Sequence, residues 1–482
     1  LTLLLISFGT VTRVHQYLVN RSLWMDEAML ANNIVERPIS SILQPMENNQ
    51  AAPPGFQLIE KGLILCFGNR DFVLRMFPLA SGLATLVLMA LVCKQYLKGS
   101  ASWLALGLVV VSDSLIYNAS ELKQYSSDTA IGLGLIALAA VYDKPEQNKW
   151  HWILLALAGS AAVWFSHPSI FILAAIGISL GLLYLSRKAW PSLVALLAVG
   201  GSWISSFAML YFTSLRLTEA NEFFARYWAD YFMPLPPWQN PGWFITSYQS
   251  FLRSPVGLNI SLLASGLLLV GIVSLFIRQW QHALRLMVPF GLVLIASGLQ
   301  KYPFGDRLAL FLVPLVFLLI AEGANCLGKL LRGPAWISSV VPVLVMVPLL
   351  ITPTKTAFGY LQWPHLREES KASLLYIRNN LQPGDRLYVY YSTIPTFQYY
   401  AARYGLDEIP VTLERYARET PQRYNDTVNQ LRPCTRFWAI FTHVHGDEEV
   451  IITTAMDQIG ERLDEYHPWE GSVYLYACDP VE

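Results

Sequence analysis

Two adjacent carboxylates, Asp26 and Glu27, stand in the stretch RSLWMDEAML, directly behind a Trp and a Met, at the end of the apolar run that opens the chain. Adjacent acids repel, which raises the proton affinity of one of the pair. Such a pair suits a general base, or a base beside an acid that orients it. Three cations, Lys123, Lys301 and Arg307, lie in other polar turns between apolar runs, in SELKQYSSD and KYPFGDR. Arg offers a planar fork and Lys a point charge, and both serve phosphate oxygens. A base with a phosphate clamp is what transfer from a lipid-linked phosphate donor requires. Further polar residues share these turns. Glu121, Gln124, Tyr125 and Asp128 flank Lys123, Tyr302 and Asp306 flank Arg307, and His167 sits in FSHPS. Asp113 lies inside an apolar run, where a carboxylate is costly unless paired or facing a cavity.

Each of these residues also has a plainer reading. Charges at the ends of apolar runs commonly just meet water, and Trp228, Trp238 and Trp243 suit an interfacial aromatic belt. His167 before Pro168 suits a helix start, and Arg13 suits snorkelling to the membrane surface. Asp26-Glu27 resists the plainer reading better, because a solvated cap does not need two acids behind an aromatic.

The elements that must position these groups are apolar. The 482 residues are 54% hydrophobic and 14% charged, against about 25% charged in soluble proteins. Runs of about 18 or more apolar residues are long enough to cross a bilayer as helices. About eleven spans are expected from apolar length: 1–19, 73–97, 101–118, 126–142, 150–166, 168–186, 190–213, 256–277, 286–300, 308–327 and 335–353. PGFQLIEKGLILCFG (54–68), interrupted by Glu60 and Lys61, reads as a helix lying at the membrane surface. This is a polytopic α-helical membrane protein by composition. Its net charge of zero gives no reason to expect nucleic acid. No small-residue cleavage site follows the first run, so no cleavable signal is expected there.

Basic residues orient the spans. One set of loops carries Lys94, Lys98, Lys144, Lys149, Arg187, Lys188, Arg278, Arg285, Lys329 and Arg332. The opposite set carries Lys123, Lys301 and Arg307. The first set is therefore expected in the cytoplasm. The outer loops 20–72 and 214–255, and everything after 354, are expected outside the inner or plasma membrane. All the polar turns named above then fall on the outer face, which suggests one site assembled from several loops.

The tail, 354–482, changes character. EESKASLLYIRNNLQPGDRLYVYYS reads as helix, turn and strand; TRFWAIFTHV, EEVIITTAMDQIGERL and GSVYLYACD read as strand, helix, strand. The expected division is a membrane domain over 1–353 and a small extracytoplasmic α/β domain over 354–482. Cys66, Cys93 and Cys326 suit apolar packing, whereas Cys434 and Cys478 flank tail strands and could pair outside the cytoplasm.

SLWMDEA, AAPPGFQLIEKGL and RMFPLASGLATLVLMALV together resemble the membrane glycosyltransferases of family 39, relatives of protein O-mannosyltransferases and of the lipid A aminoarabinose transferase. SELKQYSSD and YPFGDRLALFLVPLVFLLIAEG are similar to segments of bacterial members of that group. The resemblance covers about 1–330. It implies the GT-C architecture and a polyprenyl-phosphate monosaccharide as donor, with a glycan, lipid or protein hydroxyl as acceptor. Asp26 would be the base and Glu27 its helper, orienting the acceptor or a basic neighbour. Lys123, Arg307 and Lys301 would hold the donor phosphate, with Gln124, Tyr125 and Tyr302 in donor binding and Asp113, Glu121, His167 and Asp306 as secondary candidates. Configuration at the anomeric carbon would invert. A divalent metal is left open, since Asp26, Glu27 and Asp113 offer oxygen ligands; no His/Cys set has zinc spacing.

Rival classes remain. A lipid or solute transporter should show buried midplane charges and related halves, and neither is visible. An oligosaccharide ligase, a phosphoryl transferase or a non-catalytic subunit would keep the membrane frame and change the chemistry.

Overall fold

The structure, a computed structural model, describes residues 1–144, 146–219, 221–331, 335–432 and 435–478. Arg332 and Cys434, named above, lie outside the described residues. The chain forms two compact units: Leu1–Val19 with Pro38–Pro364, and Asn20–Arg37 with His365–Glu482. The second unit thus takes in residues 20–37, which hold Asp26 and Glu27.

The first unit is a helical bundle. Among the described residues, seven helices are long and apolar enough to cross a membrane: Met76–Tyr96, Tyr125–Asp143, Ser169–Ser186, Trp190–Thr218, Ser261–Gly298, Asp306–Leu330 and Val340–Gln362. Thr2–Leu18 and Lys149–Phe165, at 17 residues each, fall just short of that length. The 38-residue element Ser261–Gly298 is two helices joined across Gln279, whose φ of −153° and ψ of 73° are not helical. Its first half approaches the helix Val313–Leu330 closely. A Cβ on Gly271 would lie 1.8 Å from the Leu319 carbonyl oxygen, and one on Gly323 1.9 Å from that of Leu267. Small residues at a membrane-helix interface allow such backbone approach.

Several local expectations change. The run 101–118 is not one helix but two, Ser100–Val111 and Asp113–Asn118, broken at Ser112. The break strands carbonyls at the end of the first helix, since nothing follows in register to donate to them. Arg13, expected to snorkel, fills that role: it is fully buried and its guanidinium donates to the carbonyls of Val109 at 3.0 Å and Val110 at 3.4 Å. Arg285, counted above as a loop cation, is fully buried within a helix and pairs with Asp143 at 2.6 Å. The segment Pro54–Phe67 is a helix, but its Glu60 is fully buried rather than at a surface.

The second unit is α/β. Its sheet runs in the order β2-β1-β3-β5-β4, from β1 (Arg386–Val389), β2 (Val411–Leu413), β3 (Arg436–Thr442), β4 (Gly460–Tyr466) and β5 (Gly471–Cys478). β1 pairs parallel with β2 and β3, and β5 pairs antiparallel with β3 and β4. Phe437, Trp438, Ala439, Ile440 and Phe441 of β3 are all fully buried, as a central strand covered on both faces requires. The tail reading of EEVIITTAMDQIGERL as one helix stops early. Glu448–Met456 is helical, but GERL opens the edge strand β4, because Gly460 lets the backbone meet β5: a Cβ there would sit 2.2 Å from the Ala477 carbonyl oxygen. Cys478 is disulfide-bonded, and Cys66, Cys93 and Cys326 are free.

Candidate functional site

In the helical unit, the turn before the helix Tyr125–Ala139 is buried and docks on the Pro-Pro-Gly region. Lys123 is 4% exposed, and its Nζ donates to Gln50 Oε1 at 2.7 Å. The Gln124 amide donates to the Ala51 carbonyl at 3.3 Å. Glu121 is buried in the same turn, and its carbonyl accepts from the Lys123 N–H at 2.7 Å. The two sequence stretches read separately above, SELKQYSSD and AAPPG, are therefore one piece of architecture.

The second polar turn, 301–307, meets the first. The Arg307 guanidinium lies 5.5 Å from the centre of the Tyr125 ring, within cation–π range. The Tyr302 phenol donates to the Leu308 carbonyl at 2.8 Å, and its ring packs edge-on against Phe171. Gly305, at φ 155°, lies under the Tyr231 ring, which a Cβ would strike at 2.5 Å; the Tyr231 carbonyl also accepts from the Phe304 N–H. The loop after residue 214 is thereby tied to the KYPFGDR turn. Asp128 is buried with its Oδ1 lacking a hydrogen-bond partner, and the buried Nε2 of His167 lacks one too. Burial pushes the His167 imidazole down to about 4, so it is neutral at ordinary pH. Lys301 is exposed, and Asp306 takes a left-handed backbone, φ 46°. Asp113 stands apart. It opens its own short helix, and its carboxylate accepts from the Tyr360 phenol at 2.7 Å.

In the second unit, Asp26 and Glu27 occupy the first turn of the helix Met25–Glu36 rather than a loop. Acids there are favoured by the helix dipole, by about 0.3–1 kcal/mol each. Glu27 is fully buried and its carboxylate receives Arg21 at 2.6 Å; Arg21 is equally buried. Asp26 is half-buried. The residues that pin this turn come from the tail. Glu368 accepts from the Met25 N–H at 2.9 Å, one residue before Asp26, and pairs with His443 at 2.5 Å. Glu369 accepts from the backbone and the hydroxyl of Ser22, and the Tyr400 phenol accepts from the Leu23 N–H. Trp24 carries the Arg367 guanidinium at 3.7 Å from its ring centre and lies beside His443. Sequence reasoning missed Arg21, Arg367, Glu368, Glu369, Tyr400 and His443. Only Arg21 was adjacent to the motif; the others lie more than 300 residues away and carry no local pattern.

Among the described residues, no three His, Cys, Asp or Glu side chains gather into a set that could hold a metal ion. Glu27 is committed to Arg21 and Asp113 to Tyr360.

The chain shares the GT-C fold with membrane proteins of known structure. It is similar over nearly its whole length to ArnT from Cupriavidus metallidurans. In the apo state the identity is 14% and the TM-score 0.54, covering 98% of this chain and 97% of that one. Bound to undecaprenyl phosphate, the TM-score is 0.56 at the same identity and coverage. It is also similar to the Archaeoglobus fulgidus oligosaccharyltransferase solved with Zn and sulfate, at 11% identity and TM-score 0.52, covering 98% of this chain and 73% of that one. The sequence matches no protein-family model. No curated protein matches it.

Proposed function

We propose that the protein is a membrane glycosyltransferase that moves a monosaccharide from a polyprenyl-phosphate donor to an acceptor hydroxyl of a glycan, lipid or protein. Asp26 takes the acceptor proton as the hydroxyl oxygen attacks the anomeric carbon. The bond from that carbon to the phosphate oxygen breaks, and the electron pair leaves with the phosphate. One displacement inverts the configuration. A sugar or Ser/Thr hydroxyl is a poor nucleophile at neutral pH, and a positioned base contributes about 10²–10⁴-fold. Lys123 and Arg307 take up the charge of the leaving phosphate, where placed cations act strongly because water is excluded. Glu27, through Arg21, holds the first turn that presents Asp26. Lys301 is a peripheral contributor at most, given its exposure.

The reaction is assigned to the outer face of the cell membrane, with about eleven spans. That topology is supported by the two helices joined at Gln279, by the shorter apolar helix Ser100–Val111 and by the 17-residue helices Thr2–Leu18 and Lys149–Phe165 beside the seven long ones. The observation that carries the reading is the end-to-end likeness to a protein solved with undecaprenyl phosphate, joined to a buried Lys123 held against the Pro-Pro-Gly segment.

The test is reconstitution of the purified protein with radiolabelled polyprenyl-phosphate sugars and native membranes, followed by identification of the labelled product. The reading fails if no donor yields product while labelled lipid crosses the bilayer, the outcome a transporter gives. The likeness to an oligosaccharyltransferase supports a second arm, with a lipid-linked oligosaccharide as donor. Transfer of that donor alone would replace the monosaccharide reading.

A further inference from the structure

The break at Ser112 opens a cavity of about 170 Å³ in the helical unit, well above the roughly 10–15 Å³ one water needs. Its polar lining includes Ser112, Asp113, Arg253, Thr352 and Thr356, and Leu108 and Phe317 supply apolar wall. Three features mark it as built for a ligand. Ser112 is 3% exposed and its buried hydroxyl has no hydrogen-bond partner, a rare state for a buried polar atom. Asp113 and Arg253 line the same space, and among the described residues they are not paired with each other; Asp113 Oδ1 accepts from the Tyr360 phenol, which leaves a carboxylate further acceptor capacity. Arg253 ends the helix Pro241–Arg253 and is exposed, so its guanidinium stands at the open side of the cavity.

We propose that this cavity holds the headgroup of a zwitterionic aminophospholipid, with the ammonium on Asp113 and the phosphodiester on Arg253 and Ser112. The chemistry selects both signs. A phosphate monoester, or a second anion, would meet the Asp113 carboxylate, so this site differs in kind from one for a polyprenyl phosphate. A guanidinium fork and a hydroxyl suit phosphate oxygens, and a carboxylate suits a primary ammonium. The lipid form is favoured over a free solute by what borders the lining. Leu262, next-but-two to Asn259 of the wall, is 87% exposed, Ile260 43%, and Ile351, adjacent to Thr352, 47%. Acyl chains would cover those side chains while the headgroup fills the polar space.

The experiment uses the full chain, exchanged into micelles containing phosphatidylethanolamine or phosphatidylglycerol, with retained lipid counted by native mass spectrometry. The wild type should retain phosphatidylethanolamine preferentially. Asp113→Asn should abolish the preference, and Arg253→Gln should lower retention of both lipids, each by about tenfold, the weight of one charged hydrogen bond. Asp113→Glu should restore the preference. Ser112→Ala, which removes a hydroxyl that bonds to nothing in the fold, should weaken retention without lowering thermal stability, so a misfolded Asp113 variant cannot decide the matter alone. Unchanged retention in Ser112→Ala and Arg253→Gln overturns the proposal. Displacement of the lipid by equimolar O-phosphoethanolamine also overturns it, because the ligand would then be a free solute.

Discussion

The helix Tyr125–Asp143 carries a polar cluster at each end, and the two are built differently. The helix has 19 residues, which puts its ends roughly 27 Å apart along the axis. At the Asp143 end the charges are paired with one another, although the buried Nδ1 of His282 lacks a hydrogen-bond partner. Asp143 receives Arg285 and His282, both at 2.6 Å. Arg285 also donates to Ser179 and to the Tyr96 phenol, and the Tyr96 ring stacks on His282 at 4.2 Å. At the Tyr125 end, the contacts of Lys123 include the Gln50 amide and those of Arg307 the Tyr125 ring, while buried atoms of Asp128 and His167 find no hydrogen-bond partner. A closed network holds helices in register. A cluster with unspent hydrogen-bonding capacity is suited to receive something else, because buried polar groups are otherwise nearly always satisfied. Of the Asp26-Glu27 pair, Glu27 is fully buried against Arg21, while Asp26 beside it is half-buried.

If residues divide into those that hold and those that act, the largest effect belongs to Asp26. Asp26→Asn should lower the rate of sugar transfer by about 10²–10⁴-fold and leave the melting temperature in detergent unchanged. Turnover within threefold of wild type would remove Asp26 from the acting class. The opposite pattern is expected at the closed end. Asp143→Asn leaves Arg285 buried without its carboxylate, which should destabilise the protein by about 3–5 kcal/mol. Activity per folded molecule should stay the same. A lowered kcat in the folded fraction, with no loss of stability, would mean that the closed network takes part in the reaction.

Smaller changes are expected from the open cluster. Arg307→Gln and Lys123→Gln each remove one charge from the proposed phosphate clamp, about 1.5–3 kcal/mol for a charged hydrogen bond. Each should lower kcat/KM for the donor by about 10- to 100-fold while circular dichroism and melting stay as in the wild type. Loss of stability equal to the loss of activity would assign both residues to holding the Pro-Pro-Gly segment. Lys301→Ala, at an exposed position, should change either quantity little.

What the sequence revealed follows the same division. Long apolar runs announce their helices by composition, and β3 and β5 announce themselves by aromatic and β-branched content. Lys123, Tyr125, Tyr302 and Arg307 were recognisable as neighbours because each sits at the end of an apolar run, where alternating span ends leave few arrangements. The closed network was not legible. Asp143 and Arg285 are 142 residues apart, and each alone reads as an ordinary loop charge. The pinning of the Asp26 turn was equally hidden, since the Met25 N–H and Glu368 are 343 residues apart and backbone donors leave no trace in side-chain spacing. The break at Ser112 left only the polar triplet Ser112-Asp113-Ser114 inside an otherwise apolar run, and Arg13, which caps the broken end, comes from another helix.

The tail offers the mildest and cleanest form of the comparison, because its holding carboxylates titrate in an accessible range. Burial alone would raise the Asp385 carboxyl, but hydrogen bonds from Arg436, the Gln382 N–H and the Trp438 indole outweigh it and hold it below the ordinary aspartate range. Glu448 is likewise held low: burial opposes, and Tyr390, Tyr424, Tyr391 and Arg418 prevail. A carboxyl whose folded pKa is depressed contributes stability that is fully present above its unfolded value, about 3.9 for aspartate. That contribution is lost as pH falls through the folded value. The α/β unit should therefore melt at progressively lower temperature as pH drops from about 5 toward 3, as read by hydrogen exchange across β3, where the Asp385 partners Arg436 and Trp438 lie. Asp385→Asn retains an acceptor and should cost about 1 kcal/mol at pH 7. It should also flatten the acid slope without abolishing it, since Glu448 still titrates. An acid slope identical to the wild type would mean that Asp385 is protonated or solvated in the folded unit, and that it belongs with the open groups rather than the closed ones.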